Sequence, residues 1–284
     1  MVCRRSKVSV VKRAPQGKPA CILTDERVVE VLVEGACCTA QKAASPRSAI
    51  NLGIVCPMAN EGDEAVAFCQ EVLKHCSGFH TVTFFAVFDR VTKDESLNLM
   101  RELERSEPRL RVVWAPENRC VVDAYMRGFK EALAAGSDWI LEIDAGFSHQ
   151  PSDIPQFFDA MEQGLDCVFG SRSIGCFKDS SMKRRFVSMG GTMLANLLLG
   201  TRQTDMTSGF ELFSRETLQM AIDRGIQSKA HFFQTEIKAY CRNLRFVEVP
   251  ITYRAASPRL GSSAITEAFR QLWRLFRLRL RGQL

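Results

Sequence analysis

Residues 137–155, SDWILEIDAGFSHQPSDIP, decide how this chain is to be read. Trp139 to Asp144 is an apolar, β-rich run closed by a carboxylate, and the polar, proline-bearing stretch behind it suits a loop leading into a helix. Comparable runs recur at Asn51 to Pro57, Thr81 to Phe88, Leu110 to Ala115, Asp166 to Gly170 and Phe246 to Tyr253. Helix-length stretches separate the early ones, with apolar residues at three and four spacing, as in Ala65, Phe68, Cys69, Val72 and Leu73. This alternation predicts an α/β fold in which a mostly parallel sheet is flanked by helices. Ligands of such sheets bind at the carboxyl ends of the strands, so the residues standing there are the candidates for function.

Acidic or amide residues stand at three of those ends. The first strand runs through IVCPMANEGDEA (54–65), where Asn60 or Asp63 would also serve as an ordinary helix N-cap. It is not a phosphate loop, because the glycine cluster and the Gly-Lys-Ser/Thr are missing. The second ends on Asp89, with Asp94 five residues on, and the third on Asp144. One carboxylate at a strand end is an ordinary cap, but three converging on one crevice make a site. His149 is a candidate metal ligand or base, or simply a turn residue. In CVFGSR (167–172), Gly170, Ser171 and Arg172 suit either a turn or a phosphate.

Composition narrows the class. With 284 residues, 46% hydrophobic and 25% charged, the chain is long enough to bury a large core. Its net charge of +6 is uneven: residues 1–50 carry nine Lys/Arg against four Asp/Glu, and residues 254–284 seven against one. Basic ends on an acidic middle argue against a nucleic-acid-binding body and for contact with an anionic surface. The eleven cysteines lack metal-site spacing and a paired framework, which points to a reducing, cytoplasmic setting. Met1 to Lys18 has no apolar centre and does not read as a secretory signal, and Met189 to Gly200 is too short to span a bilayer.

Residues 1–48, with a possible short strand at Val28 to Val33, read as an extension, 49–263 as the main domain, and 264–284 as a basic amphipathic helix. At 100° per residue, Phe269, Leu272, Trp273, Phe276 and Leu280 share one face of that helix. Arg270, Arg274, Arg277 and Arg281 share the next, while Leu275 and Leu278 fall outside the apolar face. A helix of this kind suits an anionic membrane surface, or packing on its own domain. The segment SSMKRRFVSMGGTMLANLLLG (180–200), led by Lys183, Arg184 and Arg185, suits the same two roles.

Taken in order, CPMANE (56–61), FDRVTKDES (88–96), the run from Tyr125 to Pro155, CVFGSR, DMTSGFELFSRETL (205–218), HFFQTEI (231–237) and FVEVPITYR (246–254) carry a resemblance. Over about Asn51 to Ser263 the sequence resembles polyprenyl-phosphate sugar transferases of the dolichyl-phosphate mannosyltransferase type, inverting family 2 glycosyltransferases with the GT-A fold. The resemblance implies transfer of a hexose from a nucleotide diphosphate sugar, GDP-mannose or a UDP-sugar, to a polyprenyl phosphate. It places the enzyme peripherally on the cytosolic side of a membrane, with Mg²⁺ or Mn²⁺ as cofactor. It also implies that Pro57, Asn60, Glu61 and Asp89 hold the donor nucleotide, and that Asp144 reaches the diphosphate through the metal. Arg172, Arg254 and Arg259 would hold phosphates, Asp205, Ser208 and Gly209 would shape the acceptor side, and Gln234 and Glu236 would support that wall.

The sequence departs from the family pattern where it matters. Gly146 stands in place of the second Asp of the metal motif, Arg90 in place of the second Asp of the first acidic motif, and Ala264 near the place of a family lysine. Ser148 falls where a metal-binding Gln can stand. Three outcomes fit: a metal held by Asp144 with donor phosphates and water, transfer without metal, or an inactive relative. Two rivals to lipid-phosphate transfer follow. One is transfer to a saccharide hydroxyl, which needs a base from Glu236, Asp205 or His149; the other is a non-catalytic nucleotide-sugar or lipid-binding protein.

Overall fold

The computed structural model describes residues 45–178, 182–254 and 262–284, with the side chains of 177–187 and 261–263 left aside. The expected strand at Val28 to Val33, Arg259, and the side chains of Lys183 to Arg185 lie outside what is described. Seven strands are present among the described residues: β1 (Asn51–Pro57), β2 (Thr81–Phe88), β3 (Leu110–Trp114), β4 (Trp139–Glu142), β5 (Cys167–Lys178), β6 (Glu211–Ser214) and β7 (Phe246–Arg254). They form one sheet in the order β3-β2-β1-β4-β6-β5-β7. All pairings are parallel except those of β6, which runs antiparallel to both β4 and β5.

The sequence reading misses only β6, a four-residue strand whose first residue is a glutamate. Nothing local marks Glu211 as interior; it is buried because a lysine from a later helix meets it across the sheet.

Strand periodicity sorts the core into two layers. Leu52, Ile54 and Cys56 of β1, with Phe84, Ala86 and Phe88 of β2, face α1 (Glu64–Lys74), α2 (Ser96–Glu104) and α4 (Ile154–Met161). Val55, Phe85, Phe169 and Phe213 face the other way. They meet α3 (Val121–Ala134), α5 (Met182–Leu199), α6 (Arg215–Asp223), α7 (Phe232–Tyr240) and α8 (Ser262–Leu280). The apolar positions expected on α1 are all buried.

Arg47, inside the expected extension, pairs with Asp159 and Glu162 at 2.7 Å each and lies over the ring of Phe158, so it belongs to the domain. The C-terminal helix α8 buries Leu272 and Leu275 in the second core and touches α5 and α7. Leu275, expected off the apolar face, is thus fully inside, and α8 is apolar on two faces: an inner one of Leu272 and Leu275, and an outer one of Ile265, Phe269, Trp273 and Leu280.

Candidate active site

The ends of β2, β1 and β4 lie side by side, as the sheet order requires, and their loops are tied together. Asn60 donates from Nδ2 to Val91 O at 3.1 Å and accepts from Lys93 N at 2.6 Å. Gly62 N donates to Asp94 Oδ2 at 2.9 Å and to Ser96 Oγ at 2.7 Å. Neither Asn60 nor Asp63 caps α1; Asp63 has no side-chain capping bond. Asp89 closes its own turn by accepting Val91 N at 2.8 Å and is nearly buried. Glu61 accepts Ala59 N at 2.7 Å, and burial pushes its carboxyl above the usual range. The loops after β1 and β2, which carry Asn60, Glu61 and Asp89, are thus joined to each other next to the end of β4.

Asp144 is half-buried, with 41% of its side chain open, and Asn60 is exposed. Its Oδ1 accepts the hydroxyl of Tyr125, and its backbone N–H donates to His149 Nδ1 at 3.2 Å. The loop behind it is held by β7: Arg254 N donates to Ser148 O at 2.9 Å, and His149 bridges to Tyr253. That backbone bond sets the exposed Arg254 beside the loop that follows Asp144. Gly146, at φ +69°, and Phe147, at φ +54°, turn the loop through left-handed backbone.

Other expectations are corrected. His149 is only 1% exposed, stacked on Phe210 at 5.0 Å, and burial lowers its pKa to about 4. A neutral, buried imidazole that accepts a backbone N–H is a structural residue of the loop, neither an available base nor a metal ligand. Arg172, expected on a phosphate, is committed within the protein: it donates from Nε to Asp205 Oδ2 at 2.7 Å, from Nη2 to Asp205 Oδ1 at 2.8 Å and to Thr207 Oγ1 at 2.6 Å.

The expected acceptor-side residues form the wall from within rather than lining it. Asp205 and Ser208 are buried, and the loop carrying them is held by Lys238 Nζ, which donates to Asp205 O and Ser208 O at 2.9 Å each. Glu248 accepts the N–H groups of Thr204 and Asp205 from the other side. Burial pushes the Asp205 carboxyl up, but the Arg172 guanidinium outweighs it and holds the group well below the carboxylate range. At Gly209 a Cβ would lie 2.7 Å from Gln234 Nε2 and so would push on the amide that donates to Glu142. Glu236 stands apart from this loop; fully buried, it accepts Ser228 N and Oγ, Tyr240 O–H and Arg274, and so ties α7 to α8. Thr207 is the exposed member of the loop, and its hydroxyl meets Ser188 of α5 at 3.2 Å.

Under Asp144 lies a second carboxyl pair. Glu142 and Glu211 face each other across β4 and β6, both wholly buried. Gln234 donates to Glu142, and Lys238 Nζ lies 2.8 Å from Glu211 Oε1. Burial raises Glu211 to about 7 despite Lys238, and burial together with Glu211 raises Glu142 well above the carboxylate range. Both shifts favour the protonated form, opposed on Glu211 by the Lys238 ammonium.

The residues limit what metal the site can hold. Among the described residues no three His, Cys, Asp or Glu gather as ligands, and with Oδ1 bonded to Tyr125 the strand end offers one open carboxylate oxygen. That does not fit a divalent ion held by protein alone. It does fit one shared with a diphosphate and water, since Mg²⁺ is commonly bound by one carboxylate plus substrate phosphates.

A mostly parallel sheet with one reversed strand and carboxylates at its strand ends is the arrangement of the GT-A transferase fold. The chain belongs to glycosyl transferase family 2, whose family model matches residues 54–220. Among curated proteins it is similar to the undecaprenyl-phosphate mannosyltransferase of Micrococcus luteus, 34% identical over 134 residues, 46% of this chain and 55% of that protein. The match thus spans about half the length of that relative. It is also similar to the polyprenol monophosphomannose synthase of Mycolicibacterium smegmatis, 28% identical over 205 residues, 70% of this chain and 76% of that one. These relatives meet the resemblance read from the motifs. Among solved structures, the glucosyl-3-phosphoglycerate synthase of Mycobacterium tuberculosis with Mn²⁺, UDP and phosphoglyceric acid superposes with a TM-score of 0.58 at 16% identity, covering 81% of this chain and 78% of that one. The same enzyme with Mg²⁺ and UDP gives 0.57 at 16% identity, covering 81% and 79%. At that identity the likeness bears on the fold, which is the expected one.

Proposed function

We propose that this protein transfers a hexose from a nucleoside-diphosphate sugar to a polyprenyl phosphate at the cytosolic face of a membrane. The observation that carries the acceptor class is that none of the three expected bases is available. His149 is buried and neutral, Asp205 is locked to Arg172, and Glu236 is buried among its own partners. A hydroxyl acceptor needs a base to take its proton, whereas a phosphate monoester arrives already as an anionic nucleophile. The names of the two curated relatives agree with this acceptor.

In this reading Pro57, Asn60, Glu61 and Asp89 hold the donor nucleotide, with Asp144 at its diphosphate and Arg254 and Arg259 on phosphate charge. A phosphate oxygen of the acceptor attacks the anomeric carbon in line, the bond to the diphosphate breaks, and the configuration inverts. The chain's contribution is alignment and charge: two anionic partners are brought together and the departing diphosphate is stabilised. Mg²⁺ or Mn²⁺ shared between Asp144 and the diphosphate would neutralise part of that charge.

The lipid approaches from α5 and α8. These helices touch, and their outer rows are open: Met193 is 77% exposed, Leu197 75%, Phe269 60% and Trp273 55%. Arg277 lies over the Trp273 ring at 5.8 Å, with Arg270 and Arg281 at the rim. Apolar side chains bordered by arginines suit the headgroup region of an anionic bilayer. Ser188, on the inner side of α5 with Thr192 and Leu199, meets Thr207 of the acceptor-side loop, so α5 carries the outer row on its far side from that loop. No helix among the described residues is long and apolar enough to cross a membrane.

The test is incubation of purified protein with polyprenyl phosphate and radiolabelled GDP- and UDP-sugars, in Mg²⁺, Mn²⁺ or EDTA, with label counted in the organic phase. Organic-phase label from one donor is expected. Label appearing only on water-soluble saccharides, or donor binding without any transfer, would overturn the reading.

A further inference from the structure

We propose that Tyr125 is a positioning residue for Asp144: its hydroxyl fixes Oδ1, so that the remaining oxygen, Oδ2, faces the donor's diphosphate at a strand end where Gly146 supplies no second carboxylate. The direction toward a diphosphate rests on the function proposed above; the hold on Asp144 does not.

Tyr125 sits on α3 and is 1% exposed, its ring packed with Phe129 at 5.9 Å and Phe233 at 5.3 Å between centroids. Its aromatic neighbours are phenylalanines, so packing accounts for the ring and leaves the hydroxyl to be explained. A buried phenol needs a partner, and here the partner is the Asp144 carboxylate. A bond to a charged acceptor is about twice as strong as one between neutral groups. The approach that makes it is built into the helix. Gly128, one turn on, lies so close to β1 that a Cβ there would come within 2.3 Å of Val55 Cγ1. Residues three apart share a helix face, so the close seat of α3 that Gly128 permits also carries the Tyr125 hydroxyl to the end of β4.

No other hydrogen bond to the Asp144 carboxylate is observed among the described residues; its backbone N–H donates to His149 Nδ1, and Oδ2 lies 3.7 Å from that nitrogen, beyond hydrogen-bond reach. With 41% of its side chain open, Asp144 has no second hydrogen bond to fix χ1 and χ2. Tyr125 therefore presents one oxygen in one place, which a site with a single carboxylate requires.

The experiment is titration of GDP and UDP into wild type, Tyr125→Phe, Asp144→Asn and the double variant, each with Mn²⁺ and with EDTA. Phenylalanine keeps the ring, and thermal melting confirms the fold. Tyr125→Phe is expected to weaken Mn²⁺-dependent nucleotide binding by about tenfold, the scale of a hydrogen bond to a charged group. It should leave binding in EDTA unchanged and have no effect in the Asp144→Asn background. An unchanged Mn²⁺-dependent affinity, or an equal loss in both backgrounds, would overturn the proposal. If neither nucleotide binds wild type, the donor reading fails, and crystal structures of wild type and Tyr125→Phe decide the point alone. Asp144 leaving its rotamer supports the positioning role; Asp144 unmoved overturns it.

Discussion

Arg172 and Asp205 meet fork to fork, Nε to Oδ2 at 2.7 Å and Nη2 to Oδ1 at 2.8 Å, and both side chains are largely closed to solvent. A residue pair 33 positions apart thus fastens the loop after α5 to β5, and the arginine that looked like a phosphate ligand is a structural clamp. Removing one partner of a buried ion pair typically costs about 3–5 kcal/mol. Asp205→Asn is expected to lose that much in urea unfolding, and Arg172→Lys about 1.5–3 kcal/mol, since it keeps the charge and loses the second bond. The double variant should lose less than the sum of the two. Additive losses would show that the residues act independently.

Restoring a carboxylate at Gly146 tests how metal-poor the site is. A Cβ there meets nothing nearer than Glu61 Cγ at 4.0 Å, so Asp fits sterically, and its φ of +69° costs about 1–2 kcal/mol of stability. Gly146→Asp should raise the affinity for Mn²⁺ in the presence of nucleoside diphosphate roughly tenfold or more, by adding a second carboxylate ligand. Titration of Mn²⁺ at fixed nucleotide measures it. No gain would mean that the existing loop already compensates.

Two buried groups give stability opposite pH slopes. His149 has its folded pKa lowered from 6.5 to about 4, so the unfolded chain takes the proton first and stability is lost as pH falls from about 6.5 to about 4. In His149→Phe that slope should disappear. Glu142 is raised above its ordinary 4.5, so the folded chain keeps the proton longer and stability is lost as pH rises toward its folded pKa. Above about pH 6.5, where His149 is neutral in both states, denaturant midpoints should fall with rising pH for wild type and stay flatter for Glu142→Gln. A midpoint that rises there in wild type would contradict the raised pKa of Glu142.

The outer face of α5 and α8 is separable from the fold. Met193→Asp combined with Trp273→Glu alters two exposed positions, so stability should change by no more than about 1 kcal/mol. Co-sedimentation with vesicles containing anionic lipid should fall tenfold or more, and binding of wild type should weaken as salt is raised, because the rim is arginine. Unchanged sedimentation would place the membrane contact elsewhere.

By itself the sequence determined the framework. Six of the seven described strands, the helix faces of α1, and the position of Asp89 and Asp144 at strand ends follow from local periodicity, which depends on near neighbours along the chain. The family was legible for the same reason, since its motifs are short and ordered. Only the tertiary structure decided what the polar side chains do. Arg172 forks onto Asp205, His149 is buried under Tyr253 and Phe210, Glu211 is drawn inside by Lys238, and Tyr125 of the helix before β4 reaches Asp144. It also decided that α8 turns Leu275 inward and Trp273 outward, two faces that a single helical projection merges into one. Each of these side-chain pairs joins residues 19 or more positions apart, and a side chain's charge state and availability are set by such partners and by burial rather than by its neighbours in sequence.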